Sequence, residues 1–160
     1  MTGVLISFNL GSLAILIWVF IQGYGAGTAG IRNHIVLGLA ATGMIVFSQS
    51  MTMMYAAAVG RMIRQAVERG ELDPAHVQKT KDYRKKIFRL GSLTIVIVML
   101  HTILGGGAHT RAFPLWVHEA LAIFTLLLTV YAVAAEIRYL IYNHLLGHQV
   151  AEEFEASRTK

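Results

Sequence analysis

Four apolar runs, residues 4–22, 31–59, 90–108 and 114–141, match or exceed the roughly 17–25 residues with which a helix crosses a bilayer core. A water-soluble domain has no use for four such runs in 160 residues. It needs charge to coat its surface. This chain is 14% charged and 55% hydrophobic, against about 25% charged in soluble domains. The apolar content also rules out intrinsic disorder. The sequence therefore predicts an all-α integral membrane protein, a four-helix up-and-down bundle. The first run lacks a basic leader and a small-residue cleavage site, so it reads as a retained helix rather than a signal peptide.

The basic residues are sorted. Arg61, Arg64, Arg69, Lys79, Lys81, Arg84, Lys85, Lys86 and Arg89 put nine of the 14 in the segment between the second and third runs. By the positive-inside bias this segment faces the cytoplasm. Both termini then lie there too, and the short loops Gly23–Gly30 and Gly105–Phe113 lie outside. The expected location is a bacterial-type plasma (inner) membrane. The net charge of +5 reports this sorting and an attraction to anionic lipid, not nucleic-acid binding.

The basic segment carries helix punctuation. Gly70 suits a C′ position, and Asp73-Pro74 reads as an N-cap followed by an N1 proline. Helices two and three are thus expected to run on beyond the lipid as a cytoplasmic helical hairpin, about residues 60–89. Each arm would extend roughly 15–20 Å. Residues 1–147 form the bundle. Residues 148–160 form a cytoplasmic tail whose Glu152, Glu153 and Glu155 suit docking on the basic hairpin.

No cysteine is present, which removes disulfides, thiolate metal sites and thiol catalysis. The histidines then carry the chemistry. His34 lies a turn inside the start of the second span, His101 a turn inside the end of the third, and His118 a turn inside the start of the fourth. With the topology above, three helices deliver an imidazole to one outer-leaflet depth. Ionisable groups inside membrane helices face the bundle interior and are functional by default. The stripes His34, Gly38, Ala41, Ile45, Ser48, Thr52 and His118, Ala122, Thr125, Thr129, Ala132, Glu136 are small and polar, as packed membrane helices require. His76, His144 and His148 read as solvated or interfacial.

Imidazoles on facing helices hold haem iron in many bundles, and the lack of a CxxCH motif excludes covalent attachment. The sequence predicts one b haem with two axial histidines. The pair is His34 with His118 if their helices are diagonal, or His101 with His118 as neighbours. Gly38 and Ala122, each four residues from a histidine toward the membrane centre, leave room for a porphyrin face. Arg32, Arg111 and His109 are placed to pair with propionates. The alternatives are copper or non-haem iron on His34, His101 and His118, a (bacterio)chlorophyll on one histidine, or imidazoles that only hydrogen-bond across helices. No HExxH or HxxH spacing supports a mononuclear site.

Other polar residues are read more plainly. Glu136 and Arg138 are expected to snorkel at the inner end of the fourth span. Asn9 and Gln22 serve as bundle glue or quinone contacts. Gly105-Gly106-Gly107 is expected to end the third helix.

With four spans and intramembrane His34, His101 and His118, the chain resembles the small four-helix, haem-b-binding membrane subunits of respiratory complexes, such as the anchors of succinate dehydrogenase and fumarate reductase. The resemblance implies electron transfer between an external partner protein and a quinone or another subunit, with no catalysis by this chain alone. The chain departs from those families in lacking their quinone-site sequences and in clustering its histidines near one side. A haem at one depth would not carry electrons across the whole bilayer. The rival expectation is a cofactor-free structural or assembly subunit of a larger membrane complex, or a homo-oligomer. A transporter is disfavoured, because no span is broken and no inverted repeat is visible.

Overall fold

A computed structural model describes residues 1–25, 30–70 and 72–158, Arg158 by its backbone alone. Four helices account for nearly all of it: α1 Thr2–Gly25, α2 Ile31–Gly70, α3 Ala75–His109 and α4 Leu115–Arg158. All four are long and apolar enough to cross a membrane. At 1.5 Å per residue α1 is about 36 Å long, which suffices for a hydrocarbon core of about 30 Å. The 40, 35 and 44 residues of α2, α3 and α4 exceed it by roughly 20–35 Å each.

The helices start and stop for local reasons. The chain's two prolines, Pro74 and Pro114, immediately precede α3 and α4, where a missing N–H costs nothing. Asp73 Oδ1 accepts the Ala75 N–H at 2.8 Å, a side-chain cap on the first turn of α3. Gly70 is the last residue of α2 but lacks a left-handed φ. Its role is close approach: a Cβ there would lie 2.8 Å from the Phe154 ring of α4.

Contacts across the interfaces pair residues early in one helix with residues late in the next. On α1 and α2, Thr2 meets Tyr55 and Asn9 meets Ser48 and Thr52. On α2 and α3, Thr42 meets Thr102 and Met53 meets Ser92. On α3 and α4, Tyr83 stacks on Tyr142 and His101 on His118. α2 also touches α4, whereas the α1 and α3 backbones stay apart among the described residues.

Burial changes along the bundle. In the apolar segments polar residues share the inside with apolar ones: Asn9, Ser48, Thr52, Thr94, Thr125, Thr129 and Glu136 are at most 1% exposed, beside Ile45, Val98 and Ala132. Leu39, Phe47, Val96, Ile103 and Leu127 face outward there. That is the arrangement for which lipid is the solvent, and small polar residues hold the helices together. Toward the α2–α3 turn charged residues take much of the surface. Ile63, Val67, Leu146 and Val150 form an apolar core, while Arg61, Arg64, Lys79, Lys81 and Lys85 are exposed.

The end of α4 differs from the expected tail. Residues 148–158 continue the helix without a break. Glu153 binds His76 Nε2 at 3.0 Å, and His76 is buried at 6% exposure rather than solvated. Gln149 donates to the other oxygen of Glu153 at 2.9 Å. The Gln149 hydrogen bond, and then His76, hold the Glu153 carboxyl below its ordinary range. His144 and His148 are exposed and lie edge to face.

Candidate functional site

His34, His101 and His118 come together at the end of the bundle opposite the α2–α3 turn. The His101 and His118 rings stack with centroids 4.7 Å apart and 23° between planes. His34 meets His118 edge to face at 6.5 Å. His118 is therefore the hub, touched by one imidazole from α3 and one from the diagonal α2.

Backbone glycines make this convergence possible. A Cβ on Gly105 would lie 2.9 Å from His118 Cε1, and one on Gly23 would lie 3.1 Å from His34 Cε1. Any larger residue would push the ring away. Gly38 does not act in this way; its nearest side chain is Val19 on α1, at 3.9 Å from an added Cβ. Ala122 is half-buried one turn further along α4. Thr102 donates to Val98 O at 3.0 Å, so Thr42 donates to Thr102 Oγ1 at 2.6 Å. This bond fixes α2 against α3 one residue from His101.

The glycine run does not end α3. The helix passes through Gly105-Gly106-Gly107 to His109, and a Cβ on Gly107 would strike the Phe113 ring at 2.6 Å. The stop comes at Arg111, the one non-glycine residue with positive φ (60°) among those described. Ala112 N–H binds Gly107 O at 2.8 Å and Arg111 N–H binds Ala108 O at 3.1 Å, the paired bonds of a Schellman closure. Arg32, His109 and Arg111 are exposed around this end. Tyr24, Trp116 and Phe113 are exposed there too, as an interfacial aromatic belt requires. Residues 26–29 of the first expected loop lie outside the described residues.

The three imidazoles carry unused bonding capacity. His34 Nδ1, His101 Nε2 and His118 Nδ1 are shielded and have no hydrogen-bond partner. A buried polar atom left unpaired costs about 1–3 kcal/mol, and three such atoms lie together here. The geometry separates the candidate pairs. Two imidazoles on one metal, at about 2.0 Å per metal–nitrogen bond, have ring centroids about 6 Å apart. His34 and His118, 6.5 Å apart, come nearer to that spacing, although they meet edge to face. His101 and His118 are too close, and their stacked faces point the in-plane lone pairs past each other. Among the described residues, no group of three histidine or carboxylate side chains is arranged to hold a metal ion, so a three-histidine copper or iron centre has no support. The rings rest directly on one another and on the two glycines, so seating a porphyrin would part them.

A second polar centre surrounds Glu136. Glu136 does not snorkel: it is fully buried, while Arg138 is exposed. Gln49 Nε2 donates to Glu136 Oε2 at 3.1 Å. Asn9, once a candidate quinone contact, donates to Thr52 at 3.1 Å and accepts from Ser48 at 2.8 Å, and so acts as packing glue. The signal for Gln49 was its position next to the inward stripe of the second span.

No family model, curated protein or solved structure matches this chain.

Proposed function

We propose that the protein is a membrane-embedded b-type cytochrome subunit, an up-and-down bundle in which His34 and His118 would hold one haem. The observation that carries this reading is the meeting of three helices at three imidazoles whose shielded nitrogens lack partners. Haem would supply one-electron exchange at that depth. His34 and His118 would hold the iron, and His101 would orient His118 by stacking. Gly23 and Gly105 keep the backbone beside the rings free of side chains. Arg32, Arg111 and His109 would meet the propionates at the surface. In this reading α2 and α3 form a cytoplasmic hairpin, the haem lies toward the outside of a bacterial-type inner membrane, and electrons pass between a partner protein and a quinone or neighbouring subunit.

The test is the absorbance spectrum of detergent-purified protein. A Soret band with a reduced α-band, lost in His118→Ala and kept in His148→Ala, supports the reading. Colourless, metal-free protein at full yield overturns it.

A second reading is favoured by the direct packing of the rings on one another and on Gly23 and Gly105. Under it the chain is a cofactor-free accessory subunit, and its imidazoles are interhelical contacts. The same spectrum separates the two.

A further inference from the structure

Glu136 is a carboxyl at 0% exposure inside an apolar span. Its Oε2 accepts one amide N–H, from Gln49, and its Oε1 has no partner. Among the described residues the ion pairs are Arg64–Glu68 and His76–Glu153, so no cation lies within bonding distance of Glu136. A buried carboxylate with one neutral donor leaves a charge uncompensated, at several kcal/mol. A carboxylic acid with a proton on Oε1 carries no such penalty.

The surroundings of Glu136 are asymmetric. Toward the α2–α3 turn, the inner face of α4 continues with Tyr139 and Asn143, three and seven residues on. Both are buried, and the Tyr139 hydroxyl and the Asn143 side chain interact with each other but make no well-formed hydrogen bond. Such groups are what a chain of buried waters requires. The Tyr139 ring lies 6.2 Å from that of Tyr83, which is 38% exposed. Tyr55 of α2 and Arg84 of α3 are the other ionisable side chains whose charge reaches Tyr139. Toward the histidines Val133 and Ala132 come first on α4, the Thr129 hydroxyl is spent on Thr125 O at 2.7 Å, and Leu16, Ile45 and Val98, with Leu126 against them, fill the core between the helices, while the Thr125 hydroxyl beside Leu126 has no partner.

We propose that Glu136 is a proton-binding site that exchanges with water from the α2–α3 turn side, through Tyr139 and Asn143, and is sealed from the histidine cluster by the Leu16–Ile45–Val98 layer. The site is independent of whether haem is bound. A membrane-embedded acid loaded from one side is what a protein needs to pair internal charge movement with proton uptake from that side.

Infrared spectroscopy of the detergent-purified full chain reads this directly. The expected result is a protonated carboxylic-acid band at neutral pH that shifts in D2O and disappears in Glu136→Gln. Isotopic labelling of glutamate in the unsubstituted chain shifts the same band, and serves if the variant fails to fold. Tyr139→Phe should slow its hydrogen–deuterium exchange about tenfold, equivalent to about 1.4 kcal/mol of barrier. Thr42→Val, one turn beyond Ile45 toward the histidines and bonded to Thr102, should leave the exchange rate unchanged. Absence of the band, or equal slowing in both variants, overturns the proposal.

Discussion

Adding one methyl group at Gly105 tests the packing of the imidazole cluster without touching an imidazole. In an exposed helical position, glycine to alanine gains about 0.8–1.0 kcal/mol of helix propensity. At Gly105 the new Cβ would lie 2.9 Å from His118 Cε1 and 3.3 Å from Nδ1. The His118 ring cannot yield freely, because the His101 face lies on it at 4.7 Å. Overpacking of this kind costs about 1–3 kcal/mol. Gly106 is the internal control, since a Cβ there meets nothing within 4 Å. Gly106→Ala should thus be the more stable variant by about 1–3 kcal/mol. Gly107→Ala should fall between them, because the Phe113 ring it strikes is 46% exposed and free to swing. Chemical unfolding in detergent, followed by circular dichroism, measures the order. Equal stability of Gly105→Ala and Gly106→Ala would refute the argument that His118 rests on the α3 backbone.

Three further outcomes are expected. Arg111→Gly should raise stability by about 1–2 kcal/mol, the cost of a left-handed conformation in a side-chain-bearing residue, as measured by the same unfolding assay. The Glu153 contact should hold the end of α4 at neutral pH. Because the Glu153 carboxyl is depressed in the folded state, its contribution is present above the ordinary carboxylate range and lost as pH falls through the depressed value. Limited proteolysis should therefore release the α4 end in acid, and Glu153→Gln should release it at neutral pH as well. For orientation, the cysteine-free chain suits single-cysteine labelling. An impermeant maleimide should label Thr110→Cys in intact cells and Lys81→Cys only after lysis, and the reverse pattern would invert the topology.

Much of the fold was legible because lipid imposes a coarse rule. Any run of about 20 apolar residues must be a helix, and Pro74 and Pro114 mark two starts. The inward stripes were legible for the same reason. In a bilayer polar residues go inside, so Ser48, Thr52, Thr125 and Thr129 gave it away. The common depth of His34, His101 and His118 followed from counting turns on oppositely running helices. What stayed hidden were close approaches. Gly105 reads as a breaker in sequence, yet its use is to admit the His118 ring. Gly70 reads as a cap, yet it makes room for Phe154. Glu136 and Arg138 look alike by depth, but two residues along a helix turn them to nearly opposite faces. His76 looked solvated because nothing local announces a partner 77 residues away.

The proposed site is tested most directly by magnetic spectroscopy of the oxidised, purified protein and its three single histidine variants. A low-spin bis-imidazole iron signal, abolished in His34→Ala and His118→Ala and retained in a perturbed form in His101→Ala, is the predicted result. No iron signal, or one that survives loss of His34 unchanged, would contradict it.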